Sequence, residues 1–455
     1  MKKIFSILTH SVSSALVIKR LSQCIDSCCK SVSFSSSLMK IPILLFAMFF
    51  TNAVNAQNRF PRPDFESGYK YPEQMFFVPD ESLWITIDLI LLVLLMGFVA
   101  WAVIKKRTRM PIMVVSVISV AYFGFYRHGC VCSIGSIQNV ALALVDNSYA
   151  MPLSVLLVFL LPIIFTLLFG RVFCAGVCPF GALQELVNIK NYKLSRALTT
   201  VLGIIPWIYL IFAVLYAMTR TSFLICRFDP FIGIFRLGGD IGFITFGVAL
   251  LIASIFTGRP FCRFLCPYGA LLSLFSRVSI WKTKITPTCN NCELCHNACP
   301  VDAIMPPYEN KVNESRMQGV KRILTYTVFL PVMIITGALI MRSISDTLSN
   351  PHKDVRLHSL AMQNEERPQD ILPLDLEVFY GQGGTLEELT KRVEVIKADF
   401  KLYSTIAGGF IGLTIGFMLI SLSVKRSRKL YEIDDAACVN CARCLSYCPQ
   451  NKVKS

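Results

Sequence analysis

Long apolar runs separated by short polar segments set the pattern of this chain. A run of roughly 17 to 25 apolar residues is enough to cross a bilayer as a helix. Such runs lie at 83–104, 153–169, 197–217, 241–256, 323–341 and 406–424, and a shorter one at 111–125 needs its aromatic flank to span. They predict an all-α polytopic membrane protein of about seven transmembrane helices.

Composition agrees with that pattern. Hydrophobic residues make up 54% of the 455 positions, and the mean hydropathy is +0.56. Lys and Arg number 45 against 29 Asp and Glu, a formal net charge of +16. In a membrane protein such a surplus marks cytoplasmic loops, so nucleic-acid binding is not the leading reading. Lys105, Lys106, Arg107 and Arg109 follow the first run, Lys190, Lys193 and Arg196 follow the third, and Lys425, Arg426, Arg428 and Lys429 follow the last. Seven spans starting outside put all of these inside, with a cytoplasmic C-terminus in the inner membrane. Trp84 and Trp101 stand where interfacial anchors are expected.

Residues 39–56 read as a signal peptide beginning at an internal Met, or else as an uncleaved anchor, with Val54-Asn55-Ala56 as the small-x-small cleavage pattern. Residues 1–38, Ser-rich and carrying Cys24, Cys28 and Cys29, then read as an extension from a start codon placed too early, and 57–82 as an extracytoplasmic segment. The transmembrane domain follows at 83–288. A cytoplasmic segment at 289–322, a helix at 323–341, an outer loop at 342–402, a helix at 403–424 and a cytoplasmic tail at 425–455 complete the organisation. The outer segment 342–401 carries eleven acidic and eight basic residues and no cysteine. Within it, 385–403 reads as a helix with Leu386, Leu389, Val393, Ile396 and Phe400 on one face, either a partner-docking face or an extension packed on the last span.

Eighteen cysteines carry the chemistry. Cys289-x2-Cys292-x2-Cys295-x3-Cys299-Pro300 recurs as Cys438-x2-Cys441-x2-Cys444-x3-Cys448-Pro449. In this bacterial ferredoxin run three cysteines wrap one cubane and the cysteine before proline ligates the other. The expected sets are therefore Cys289, Cys292, Cys295 and Cys448 for one [4Fe-4S] cluster, and Cys438, Cys441, Cys444 and Cys299 for the second. Zinc requires neither the third cysteine nor the trailing Cys-Pro. The two halves must meet on one face as a small split ferredoxin domain, although two predicted spans and the outer loop separate them. Cys292 to His296 also matches the C-x-x-C-H haem pattern, rejected here because it is nested inside the ferredoxin run.

A second constellation is an internal repeat, around 127–183 and 220–271. Gly170-Arg171-Val-Phe173-Cys174-x3-Cys178-Pro179-x-Gly181-Ala182-Leu183 aligns with Gly258-Arg259-Pro-Phe261-Cys262-x3-Cys266-Pro267-x-Gly269-Ala270-Leu271. Cys174, Cys178, Cys262 and Cys266 form a candidate redox site, read as a further metal centre or a quinol-side centre; the plain alternative is a re-entrant packing motif with inert thiols. Further out stand Cys130, Cys132 and Cys226, read as an outer redox site or as an ordinary disulfide. Arg127, His128, Arg220, Arg227 and Asp229 beside them read as interfacial charges.

The paired G-R-x-F-C-x3-C-P-x-G-A-L segments, followed by a membrane-tethered ferredoxin, resemble the polyferredoxin half of the NosR/NapH-type membrane iron-sulfur electron-transfer family. The resemblance covers about 83–455. It implies a membrane electron carrier passing electrons between a quinol or cytoplasmic donor and an extracytoplasmic redox protein, such as a flavoprotein or cytochrome. The extracytoplasmic flavin domain of NosR has no counterpart here, and neither a flavin- nor a haem-attachment motif is accepted. No acid-base pair, nucleophile triad or phosphate loop presents itself, so an electron-transfer subunit is favoured over a stand-alone enzyme. The alternatives are an accessory for metalloenzyme assembly or metal reduction, and a redox-sensing regulator.

Overall fold

The computed structural model describes residues 83–129, 131–236, 238, 241–286, 289–308, 316–366, 373–423 and 428–452. The expected N-terminal extension, signal region and 57–82 segment lie outside the described residues, as does Cys130.

Every apolar run of the described chain is helical, as lipid demands of a segment that must satisfy its own backbone. Helix α1 (Leu83–Trp101) widens into a π-helical turn, Ala102–Lys106, that Arg107 ends in the left-handed conformation. Helix α2 (Met110–Ser119), started by Pro111, continues as a π-helical stretch, Val120–Tyr126. Next come α3 (Ser133–Ala143), α4 (Leu153–Phe169), α5 (Pro179–Val187), α6 (Ile205–Met218), α7 (Ile241–Phe256) and α8 (Pro267–Ser276). After them stand α9 (Leu294–Ala298), α10 (Arg316–Ser343), α11 (Lys353–Glu366), α12 (Leu374–Gly381), α13 (Leu386–Ser423) and α14 (Arg443–Tyr447).

Four stretches are long and apolar enough to cross a membrane: Leu83–Lys106, Ala197–Met218, Met317–Ser343 and Leu386–Ser421. Met110–Tyr126, Leu153–Phe169 and Ile241–Phe256 are shorter. At about 1.5 Å per residue, 17 residues reach only about 25 Å of a hydrocarbon core of about 30 Å. Trp84 and Trp101 are both exposed at the ends of α1.

The segments after α4 and α7 turn back between the helices instead of leaving the bundle. Ser119 at the end of α2 donates to the Val177 carbonyl, and α5 then returns to the start of α2, where Glu185 pairs with Arg109 at 2.7 Å. In the second copy Tyr268 donates to the Phe159 carbonyl deep on α4, at 2.7 Å, and after α8 the Ile280 N–H bonds the Leu167 carbonyl near the end of α4. Phe159 and Leu167 are eight residues apart, so this hairpin penetrates about 12 Å along the axis. Pro179 and Pro267 open the returning helices, where a missing N–H costs nothing.

The two segments expected to form the split ferredoxin join through β1 (Ile304–Met305) and β2 (Glu432–Ile433), antiparallel with Ile304 opposite Ile433, and through packing of α9 on α14. The cationic clusters flank the same end of the bundle: Arg107 donates to the Lys284 carbonyl and Lys193 to Asn297 of the first half.

Helices α10 and α13 pack closely over a glycine seam. A Cβ on Gly408 would fall 2.3 Å from the Gly337 carbonyl oxygen, and one on Gly412 2.1 Å from that of Met333. Such small-residue contacts let membrane helices approach. The outer-loop helix is not a separate element but the first turns of α13. Its apolar stripe is covered by the loop itself: Leu389, Val393 and Phe400 are buried, the first two in a cluster with Val355, Leu357 and Phe379. The docking reading for that stripe is therefore corrected; the chain's own α11 and α12 occupy it.

Candidate metal centres

Cys299, Cys438, Cys441 and Cys444 line one pocket, closed by apolar side chains such as Val301, Ile304 and Val439. The cysteine before proline in one half is thus brought to the three closely spaced cysteines of the other. Local backbone geometry explains how. Asn291 and Glu293 in the first half, and Asn440 and Ala442 in the second, all have positive φ between 52° and 64°. These are matching loop positions, and the left-handed turns wrap each loop so that N–H groups face the sulfurs. The Asn440 N–H lies 3.4 Å from the Cys438 sulfur and the Ala303 N–H 3.3 Å from that of Cys299. Burial pushes the Cys438 thiol up to about 12 and the Cys441 thiol up to about 11.

Cys289, Cys292 and Cys295 lie on the first loop, and Cys448 ends α14. The charges of Cys289, Cys292 and Cys448 all act on Cys295, whose thiol is raised chiefly by burial. Cys292 is exposed, so this set lies nearer solvent than the other. His296 bonds the Ile304 carbonyl at 2.8 Å and holds the loop to β1.

The second pocket is lined by Cys174, Cys178, Cys262 and Cys266 from the two hairpins, together with Arg171, Phe173, Ile134, Tyr268 and Val439. Cys178 and Cys266 have nearly the same extended backbone (φ −69°, ψ 118° and φ −71°, ψ 111°) just before their prolines. The Gly269 N–H lies 3.2 Å from the Cys266 sulfur, and Gln184 donates to the Cys262 sulfur at 3.5 Å. The re-entrant path and the gathered sulfurs thus coexist in one structure.

The two four-sulfur pockets adjoin, because Val439 lines both. Sequence reasoning gave roles to the cysteines of the repeat and none to its Gly-Arg pairs, which form this junction. Arg171 donates to the Cys438 carbonyl at 3.0 Å and to that of Gly269 at 3.4 Å. Arg259, fully buried, pairs with Glu185 at 3.1 Å and donates to the carbonyls of Cys174 and Ala175. A Cβ on Gly170 would fall 2.5 Å from the Asn440 amide nitrogen, and one on Gly258 2.1 Å from the Pro300 carbonyl oxygen. Each hairpin therefore begins with a glycine where a ferredoxin loop docks, and the recurrence of Gly-Arg in both copies was the available signal.

No group of three His, Cys, Asp or Glu among the described residues is arranged to hold one ion, yet four cysteines surround each pocket.

At the far end of the bundle Cys132 and Cys226 both stand as free thiols. The neighbouring charges are not simply interfacial. Arg127 pairs at 2.7 Å with Asp88, which is buried and also accepts from Tyr122. Arg220 pairs with Asp146 at 3.0 Å, and Asp229 is buried, accepting from the Phe231 N–H at 2.9 Å.

Residues 151–198 and 240–286, the two hairpin segments with the helices before them, match a family described as a 4Fe-4S binding domain. The regulatory protein NosR of Pseudomonas aeruginosa is 34% identical over 164 residues, 32% of this chain and 23% of that protein. The uncharacterized protein MJ0750 of Methanocaldococcus jannaschii is 30% identical over 189 residues, 40% of this chain and 77% of that protein. The putative electron transport protein YccM of Escherichia coli is 32% identical over 156 residues, 30% of this chain and 43% of that protein. The chain spans less than a third of the length of the NosR proteins it matches. No solved structure matches it.

Proposed function

The chain belongs to the NosR- and NapH-type family of 4Fe-4S membrane proteins, and from that premise we propose that it carries electrons through three iron-sulfur centres in series. The observation that carries the reading is the adjacency of the two four-cysteine pockets across Val439. Cys289, Cys292, Cys295 and Cys448 hold the outermost centre; Cys299, Cys438, Cys441 and Cys444 hold the middle one. Cys174, Cys178, Cys262 and Cys266 hold the third, within the helix bundle. Bound iron-sulfur clusters supply one-electron carriers.

The chain's own residues supply the rest. Arg171 and Arg259 bring positive charge beside sets of thiolates, and Glu185 with Arg109 fixes Arg259 where it stands. The backbone and Gln184 N–H groups aimed at sulfur favour the charged ligands. Val439, Phe173 and Tyr268 exclude water from the junction. We read the seven apolar helices as seven spans around a two-fold repeat, the three short ones completed by their aromatic flanks, with both ferredoxin halves in the cytoplasm. A hydrocarbon core of about 30 Å is too wide for one useful tunnelling step, so a centre carried inward by the hairpins shortens the path. The donor on this reading is a quinol or a cytoplasmic reductant, and the acceptor an extracytoplasmic redox protein.

Proteoliposomes test the reading. Reduced viologen outside and ferricyanide trapped inside should react through wild-type protein, and Cys178→Ala should slow the reaction at least tenfold while the ferredoxin signals persist. Equal rates in both would overturn the series.

A further inference from the structure

Cys132 and Cys226 belong to neither ferredoxin half nor either hairpin, yet they converge. A Cβ on Gly135 would lie 3.2 Å from the Cys226 sulfur and 3.8 Å from that of Cys132, so only the glycine leaves both sulfurs this space. Cys132 caps α3, and its sulfur accepts the Gly135 N–H at 3.3 Å, while burial, and after it the Asp229 charge, pushes this thiol up to about 12. Cys226 is exposed and open to a partner, whereas Cys132 is partly covered. The amide oxygen of Gln138 takes the Ile225 N–H at 2.9 Å, next to Cys226, and its fully buried Nε2 has no hydrogen-bond partner among the described residues. The Asp229 carboxyl acts electrostatically on both thiols, and burial holds it up to about 6, within reach of proton exchange near neutrality. Towards the hairpins, Cys132 lies within electrostatic reach of Cys178, and Tyr209 lies within reach of both Cys226 and Cys266.

We propose that Cys132 and Cys226 are a redox-active pair that relays electrons from the iron-sulfur centres to a disulfide-bonded extracytoplasmic protein. The proposal rests on the electron-transfer reading for its supply of electrons. The Cys132–Cys226 disulfide takes two electrons, one from each of two reduced centres, and two protons, giving two thiols. Cys226, as thiolate, attacks the partner's disulfide and forms a mixed disulfide. Cys132 then attacks the Cys226 sulfur, restoring their own disulfide and leaving the partner with two thiols.

The test uses full-length protein in nanodiscs, handled without oxygen, with iron and ferredoxin spectra measured on each sample. Oxidised glutathione is added, the sample is acid-quenched and alkylated, and peptides are mapped by mass spectrometry. A Cys132–Cys226 link is expected, opened again by reduced viologen and opened at least tenfold more slowly in Cys178→Ala and in Cys299→Ser. Separate alkylation of the two cysteines, a link to another cysteine, or equal opening rates in the variants would overturn the proposal. Full iron with no link refutes the pair alone, whereas missing iron refutes the reading beneath it.

Discussion

Replacing Arg171 by Gln removes a positive charge at the junction of two four-cysteine sites while keeping a side chain that can hydrogen-bond. The guanidinium donates to the carbonyl of Cys438 and to that of Gly269, beside Cys266. With an effective dielectric of about 20, unit charges interact by about 4 kcal/mol at 4 Å and about half that at twice the distance. Arg171 acts from behind the ligands' backbone, so the smaller value, about 2 kcal/mol, is the appropriate one. For a one-electron couple, at 59 mV per tenfold, this is about 90 mV. The sign follows from charge: reduction adds an electron, a nearby cation favours it, and the variant's potential should fall. An anaerobic redox titration followed by electron paramagnetic resonance measures it, with Arg171→Lys as the control that keeps the charge. An unchanged potential in Arg171→Gln at full iron content would refute the reasoning.

Other consequences are as direct. Cys299→Ser should lose the centre held with Cys438, Cys441 and Cys444 while the spectrum of the other ferredoxin centre persists; loss confined to the first half's centre would contradict the cross-ligation. Glu185→Gln leaves Arg259 and Arg109 without their shared counter-charge, a change that costs about 3 to 5 kcal/mol for a buried pair, and the yield of folded, iron-loaded protein should fall sharply. Gly412→Val places side-chain atoms against the Met333 carbonyl and should separate α10 from α13, lowering the thermal midpoint in detergent; an unchanged midpoint would show the seam is not needed.

The cysteine spacing suggests the ferredoxin sets because a cubane's ligand geometry is local: two residues between thiols, then three before proline. The cross-pairing of Cys299 is an expectation from the same rule, and Cys299, Cys438, Cys441 and Cys444 line one pocket. Helix positions followed from apolar runs. The path of the hairpins did not, since a motif such as Phe-Cys-x3-Cys-Pro is equally apolar whether it leaves the bundle or folds back into it. The Gly-Arg pairs went unread for a related reason: their partners, Asn440, Pro300 and Cys438, lie far along the sequence, and nothing local marks a close approach. Asp229 reads as an interfacial charge in the sequence because burial is a tertiary property. Leu389 and Val393 show a docking stripe in isolation, and only the loop helices that cover them reveal an internal contact.

The central claim, three four-cysteine centres, is tested most directly by iron and acid-labile sulfide per chain in anaerobically purified wild type and Cys266→Ala protein. Three cubanes give about 12 irons and about 12 sulfides in the wild type, and losing one leaves about 8 of each with both ferredoxin signals intact. Zinc in place of iron, or about 8 irons in both proteins, would contradict the account.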